Sequence, residues 1–582
     1  MASIGVLLAS DKLTVFEYKW LLGSCKLREP CVRSPVVRSS PKGSIRISPS
    51  SPMTLAHRVL AQQRPWAFAL GCIAVTAGVS LHLPMFWMGR HNGFRLAGMP
   101  MGADMLWGMG LIVAGIGVAG YGLLPQPQKS VNTPYVAVMA PEDAPLGWAH
   151  WRLMAVLSIA LVIDVMKPAS LGFVLPGMMA EYGVSRETVA WLPFAALCGT
   201  VVGSIAWGAL ADIYGRRASI LLSAIMFVGT AICGAMPSLW WNVGMCFLMG
   251  AAAGGMLPVA YALLAETMPS KHRGWVLVLI GGLGSAGGYL AASGFSAWLQ
   301  PLFGWRILWF LNLPTGLILV CLNAFIPESA NFLLSLGRVD EAHATLRAFG
   351  CVARPWETPM PSTYPPESLA LPTTLGFAAR TWALSVTAVA WGLINFGLLL
   401  WMPQQFVAKG YSMTFTSQIL AASALIAFPT VFLAAFLYSR WSSKGALIGS
   451  IALTAAGLLG VLRLEFASAA TASPVLPVAL LIIGINGIIA MLLPYTAESY
   501  PLRIRGRATG WIAACTKGGG LAAQLLSLLG LVPALGIAAM LTLAPVIVSF
   551  GLVLRFCTET RGHDLRDLET NRARIRSASM EP

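Results

Sequence analysis

The sequence predicts an all-α integral membrane protein: a twelve-helix bundle in two six-helix halves, with two extra N-terminal transmembrane helices. Three observations carry this expectation. Charged residues make up 11% of the 582-residue chain and hydrophobic residues 57%, whereas soluble domains carry roughly 25% charged residues. Fourteen apolar runs are long enough to cross a ~30 Å hydrocarbon core, which takes about 20 residues. A ten-residue phrase, A-E-x-x-P-x-x-x-R-G, occurs at Ala265–Gly274 and again at Ala497–Gly506. Each copy follows one apolar run and precedes another, the mark of a duplicated multi-helix unit. Lipid offers no partner to backbone N–H and C=O groups, so the runs must be helices.

The elements follow in order. Residues 1–64 hold ten Lys and Arg among many Ser and Pro. They are expected to form a basic, disordered cytoplasmic tail without a cleavable signal peptide; an alternative start at Met53 would shorten it. Residues 65–125 carry two runs, near Trp66–Met88 and Met101–Leu124. These read as a transmembrane hairpin, or, because its turn carries Arg90 and Arg95, as an amphipathic or re-entrant pair. A linker spans 126–150. The first half, 151–327, holds runs near Leu153–Met178, Trp191–Leu210, Ser219–Ala235, Val243–Leu264, Val276–Leu299 and Leu308–Phe325. A central loop, 328–380, opens with an amphipathic piece from Glu328 to Phe349 and continues as a Pro-rich linker. The second half, 381–556, holds runs near Ala383–Met402, Ile419–Phe436, Ala446–Leu462, Val475–Leu493, Ala508–Leu529 and Ile537–Leu554. A tail, 557–582, closes the chain. Pro327-Glu328-Ser329 and Thr558-Glu559-Thr560 follow the last run of each half, so the repeat extends beyond the phrase.

Charge sets orientation. One set of core loops holds Arg216, Arg217, Lys271, Arg273, Arg338, Arg347, Arg440, Lys444, Arg503, Arg505 and Arg507; the alternate set holds Arg186, Arg306, Lys409 and Arg463. The first set is expected to face the cytoplasm, with both termini, in a multi-pass plasma (inner) membrane protein. The formal net charge of +16 follows from this pattern, and no nucleic-acid partner is expected. The ten Cys residues show no C-x-x-C pair and read as small buried thiols.

The loop after the second core run reads Gly208-Ala-Leu-Ala-Asp212-Ile-Tyr-Gly215-Arg216-Arg217. Its small residues suit close helix packing, and Asp212 can pair with Arg or cap a helix. With this loop the chain resembles the major facilitator superfamily over roughly residues 150 to 565. Phe325-Ile-Pro327-Glu328-Ser329, followed by Gly337-Arg338-Val-Asp340-Glu341-Ala342, is similar to the segment after span six in the sugar-porter and metabolite–proton symporter branches. The two A-E-x-x-P-x-x-x-R-G phrases resemble the loops after spans four and ten there, and Glu559-Thr-Arg-Gly562 the C-terminal marker.

Within the resemblance, span seven, Ala388-Val-Ala-Trp391-Gly-Leu-Ile-Asn395-Phe-Gly, lacks the Gln-Gln-rich motif of sugar porters. Span one, Asp164-Val-Met-Lys167-Pro168 through Pro176-Gly177, is similar to the acidic span one of organic-acid and aromatic-acid symporters. Those have two acidic residues and a Gly; this chain has one acid and then Lys167. Span five lacks the Gly-Pro motif of drug–proton antiporters.

Three charges lie deep in runs. By helical rise Asp164 is ~18 Å past Arg152, Lys167 ~22 Å past it, and Lys517 ~15 Å past Arg507. A charge at mid-membrane costs ~2.5–3.5 kcal/mol on insertion scales unless a partner or a wet cavity offsets it. The expected cavity set is Asp164, Lys167, Trp391, Asn395, Asn486, Lys517 and Gln524. Asp164 would carry the coupling proton, and a lysine would meet an anionic substrate, so that proton occupancy responds to substrate arrival. The structural alternatives are a self-neutralising Asp164–Lys167 pair, Lys517 snorkelling to the interface, and plain interhelical packing for the others. Gly208, Asp212, Gly215, Arg216, Arg217, Glu266, Arg273, Glu498 and Arg505 form an expected cytoplasmic gate, twin acid–base clusters that latch the halves.

Gly282-Leu-Gly284-Ser-Ala-Gly287 fits G-x-G-x-x-G but lies inside a membrane run, where close packing explains it. No P-loop is present, so an ATP-driven pump is disfavoured. The sequence calls for no catalytic residues, cofactor or metal. Copper(I) at the hairpin's His82, Met85, Met88, His91, Met99, Met101, Met105 and Met109 is the alternative to lipid-facing Met. The expected function is proton-coupled uptake of a small organic acid, a carboxylate or aromatic acid, by alternating access, in a protein that is not an enzyme. An exporter of an amphipathic compound and a non-transporting receptor or assembly protein compete with it.

Overall fold

The computed structural model describes residues 64–124, 144–336, 338–351, 375–466, 473–500 and 502–561. The predicted N-terminal tail up to residue 63, most of the 126–150 linker, the Pro-rich part of the central loop and the end of the C-terminal tail lie outside the described residues.

The hairpin consists of α1 (Pro65–Ser80), α2 (Leu83–Met88) and α3 (Ala103–Leu123). The first half holds α4 (Trp148–Tyr182), α5 (Arg186–Val189), α6 (Trp191–Tyr214), α7 (Arg216–Gly229), α8 (Leu239–Thr267), α9 (Ser270–Phe303), α10 (Ile307–Phe310) and α11 (Asn312–Cys321). Two short helices follow, α12 (Ala330–Ser335) and α13 (Val339–Ala348). The second half holds α14 (Leu375–Leu393), α15 (Leu399–Ala408), α16 (Met413–Ala427), α17 (Thr430–Arg440), α18 (Ser443–Phe466), α19 (Val475–Ser499), α20 (Leu502–Leu528) and α21 (Leu535–Phe556). Spans one and seven begin earlier than expected, at Trp148 and Leu375. Run six is broken into α10, α11 and a 3₁₀ turn.

Among the described residues, thirteen helices are long and apolar enough to cross a membrane, by length and composition. The fourteenth expected run is α20, which falls outside that set. It gives much of its length to Gly, Thr516, Lys517 and Gln524, a polar face that protein or a cavity must cover.

Close backbone approach builds the bundle, as the Gly-rich run predicted. A Cβ on Gly284 would lie 2.7 Å from Leu161 Cβ, and one on Gly288 would lie 2.6 Å from Val165 Cβ. α9 therefore lies flush on α4, where any larger residue would push the helices apart.

The hairpin packs as two antiparallel helices. A Cβ on Gly71 would lie 2.6 Å from Gly115 O, and one on Gly108 would lie 2.7 Å from Gly78 O. Its inner face joins Leu221, Ile225 and Val228 of α7 and Phe310 of α10 in one buried cluster. The turn is tied down by Glu181. Its carboxylate accepts hydrogen bonds from the Leu96 (2.6 Å) and Ala97 (3.0 Å) N–H groups, Trp305 Nε1 (2.8 Å) and Arg306 Nη2 (2.6 Å). Arg306 also donates to the Gly234 and Met236 carbonyls. The side chains of this ion pair are 0% and 4% exposed, and every added donor helps offset its desolvation.

Candidate functional site

A cavity of about 650 Å³ lies between the two halves. Its walls come from α4, α6, α8 and α9 on one side and from α14, α15, α19 and α20 on the other. The size suits a small organic molecule. Most of the lining is apolar or small, so the few polar groups stand out.

Asp164, Trp391, Asn395, Asn486 and Lys517 all line this cavity. Asp164 is 6% exposed, and its Oδ1 has no hydrogen-bond partner among the described residues. Both Lys167 and Lys517 lie within electrostatic reach of its carboxylate. The Lys517 ammonium lies 5.1 Å from the centre of the Phe396 ring, a cation–π approach. Phe396 meets Trp391 edge-on at 5.6 Å, and the Trp391 indole donates to Ile485 O at 2.9 Å. Asn395 and Phe396 belong to a π-helical turn, Ile394–Leu398, where span seven widens; such turns often mark functional positions. Asn486 accepts a 2.6 Å hydrogen bond from Ser285 of the opposite half.

Two expected cavity residues are elsewhere. Lys167 does not line the cavity. Its Nζ lies 3.1 Å from the centre of the Phe227 ring on α7, with no hydrogen-bond partner among the described residues. The alternative of a self-neutralising Asp164–Lys167 pair finds no hydrogen bond between them among the described residues: the lysine turns toward α7 while Asp164 faces the cavity. Gln524 is fully buried and also off the cavity. Its Nε2 donates to Phe396 O, so it braces the π turn that presents Asn395 and Phe396.

Several cavity residues were not anticipated. Ser285, Tyr289 and Phe173 line it, and Phe173 and Tyr289 ring centres are 6.0 Å apart. Ser285 and Tyr289 were legible only as i, i+4 polar positions beside the glycines.

On the basic side, the expected gate residues form clusters within each half. Arg216 pairs with Glu266 at 3.1 Å and with Asp212 at 3.4 Å. Arg217 Nε donates to Asn323 at 2.7 Å. Arg273 Nη2 donates to Met268 O at 3.4 Å. Gly215, with φ +93°, leads into α7, and a Cβ there would collide with Glu328. Glu328 accepts from the Arg216 N–H at 2.8 Å, holding the start of α7. The second half repeats this: Glu559 accepts from the Ser443 N–H at 2.9 Å, at the start of α18, and from the Ser442 and Ser443 hydroxyls. Burial pushes the Glu328 carboxyl above its ordinary range, against the pull of the N–H groups and Arg217. Burial acts the same way on Glu559 but loses to the Ser442, Ser443 and Arg561 hydrogen bonds, which hold it at about 2. Gly208, expected to pack closely, has open space beside it. The Arg505 side chain lies outside the described residues.

The Arg216–Asp212 and Arg216–Glu266 ion pairs thus clamp a loop within the first half. What crosses the interface is the repeated phrase itself. A Cβ on Gly274, from the first copy, would lie 2.6 Å from Oε1 of Glu498, from the second. Glu498 is held there by the Tyr438 hydroxyl at 2.7 Å and the Thr560 hydroxyl at 2.8 Å. On the other side of the cavity the Ser296 and Ser417 hydroxyls meet at 2.9 Å across the halves.

For the hairpin metal alternative, no group of three or more His, Cys, Asp or Glu suited to a metal occurs among the described residues. His82 Nδ1 bonds Gly78 O at 2.8 Å.

The sequence model of the Major Facilitator Superfamily matches residues 156–524. The niacin transporter NiaP of Acinetobacter baylyi is 27% identical over 396 residues, covering 66% of this chain and 88% of that protein. The 4-hydroxybenzoate transporter PcaK of the same organism is 33% identical over 202 residues, 34% of this chain and 43% of its own length. Among solved structures, a partially occluded, inward-open form of the xylose transporter XylE from E. coli aligns with a TM-score of 0.57. Its identity is 15%, and the alignment covers 72% of this chain and 100% of that one. That likeness concerns the fold.

Proposed function

The chain belongs to the major facilitator superfamily, and from that premise we propose that it takes up a small aromatic or related carboxylate together with a proton. It is a multi-pass membrane transporter and not an enzyme. Relatives named for niacin, 4-hydroxybenzoate and benzoate transport support an organic-acid substrate. The single observation that carries the reading is the pairing, in one cavity between the halves, of an unpartnered carboxylate oxygen on Asp164 with the Lys517 ammonium over Phe396.

In this reading Lys517 meets the substrate carboxylate, while Trp391 and Phe396 flank its ring. Arrival of the anion withdraws Lys517 from Asp164 and favours protonation there, which neutralises the cavity before the halves rock. Membrane burial penalises any uncompensated charge, so loaded and empty carriers cross most easily when neutral. The basic loops face the cytoplasm of the plasma membrane, and the contact of Gly274 with Glu498 closes that side. The test is uptake of labelled nicotinate, benzoate and xylose into proteoliposomes with and without an inwardly directed proton gradient. Gradient-driven accumulation of a carboxylate is expected. Accumulation of xylose alone, or of nothing on the panel, contradicts the reading.

A further inference from the structure

Two hydrogen-bonding groups in the cavity wall are left without a partner among the described residues. They are Tyr289 OH and Asn486 Nδ2, both buried. Both residues line the cavity. An unpaired buried donor is a standing cost, and native proteins keep few of them without a purpose.

Their relative placement is fixed by Ser285. Ser285 holds Asn486 Oδ1 at 2.6 Å, which leaves the amide nitrogen as the uncommitted end. Tyr289 follows Ser285 by four residues on α9, so the two project from one face about 6 Å apart at Cβ. The tyrosine ring is steadied by Phe173 of α4. Two donors, one from each half of the protein, therefore flank the same stretch of cavity, with the Lys517 ammonium on α20 as the anion-binding group.

We propose that Tyr289 and Asn486 form a donor pair that reads a hydrogen-bond acceptor on the substrate ring, separate from the carboxylate. The inference rests on the aromatic-carboxylate reading above and narrows it. The substrate class is a ring acid with an acceptor in or on the ring, a pyridine-type nitrogen or a phenol oxygen, in preference to an unsubstituted benzoate. A wall built to bond such a group rejects the analogue that lacks it, because the donors stay unpaired. The donors come from different halves, so their joint engagement also favours the closed state.

Nicotinate and benzoate isolate the question, since they share shape and charge and differ only by the ring nitrogen. The full-length protein in proteoliposomes is expected to take nicotinate with about tenfold higher apparent affinity than benzoate, the order of one paired buried donor. In Tyr289→Phe and in Asn486→Ala the nicotinate-to-benzoate ratio falls to within about twofold. Each ratio is taken on one preparation, so loss of folded protein cancels. Lys167→Met, at a lysine that lies on Phe227 away from the cavity, keeps the preference. A wild-type ratio near one, or a ratio untouched by Tyr289→Phe, overturns the proposal while the carboxylate reading stands. Uptake of neither acid overturns both.

Discussion

Glu328 and Glu559 occupy equivalent places in the two halves and perform the same task, each holding the first turn of the helix after a basic-side loop. The copies of A-E-x-x-P-x-x-x-R-G likewise sit at matching helix ends, and one touches the other. The cavity is different. Asp164 lies on α4 and Lys517 on α20, and neither has a charged counterpart at the matching place of the other half. The helix-start contacts are thus repeated, and the cavity charges are not. On the proposed function, the repeated clamp tunes the rate of exchange between states and the unrepeated charge decides what the cavity holds.

The comparison is sharpened most by the two buried ammonium groups. Lys517→Ala is expected to raise the KM for a carboxylate about 10- to 100-fold, the worth of a charge-assisted hydrogen bond. Lys167→Met is expected to shift KM far less, because the ammonium faces Phe227 away from the cavity. Its ammonium is buried without a hydrogen-bond partner among the described residues, a desolvation cost that the apolar side chain removes, so Tm is expected not to fall. Initial-rate uptake and a melting curve check both; equal KM effects would merge the two lysines into one site.

The hairpin gives the next effect. Arg306→Met leaves the buried Glu181 carboxylate without its counter-ion, with only the Leu96, Ala97 and Trp305 donors remaining, and loss of one member of a buried pair costs about 3–5 kcal/mol. A lowered Tm, with the hairpin turn newly open to proteolysis, is the expected outcome. Gly274→Val drives a side chain into Glu498 and should hold the basic side open, read by thiol labelling of cysteines placed there. Arg217→Ala should slow cycling while leaving substrate affinity largely intact, since Arg217 contacts Asn323 and not the cavity.

The smallest effect is electrostatic and differs between the halves. Glu559 sits at about 2, below its ordinary carboxyl value, so its stabilisation is present above about pH 4.5 and fades as pH falls toward 2. Glu328 is displaced upward by burial, so its protonation favours the folded state as pH falls through its raised value. Acid should therefore loosen the loop before α18 ahead of the loop before α7, as measured by hydrogen exchange at each.

The repeat and the helical spans were legible in the chain, because apolar run length is a one-dimensional signal. Asp164, Trp391, Asn395, Asn486 and Lys517 were legible as cavity residues for a related reason: polar groups at mid-span need a wet or paired surrounding. Lys167 and Gln524 were misplaced because their destinations depend on neighbours from far along the chain. Lys167 lies on Phe227 of another helix, and Gln524 is captured by a carbonyl in a π turn that no residue pattern announces. The pairing of Glu181 with Arg306 was not legible because both sit at span ends, where charges are ordinary until a buried pair forms.

In the proposed function Asp164 couples the proton to the substrate. Accumulation of nicotinate driven by a proton gradient, compared with counterflow exchange at equal pH on both sides, tests it most directly in Asp164→Asn. Accumulation reduced to the equilibrium level with exchange retained is the expected result. Undiminished gradient-driven accumulation in Asp164→Asn would contradict it.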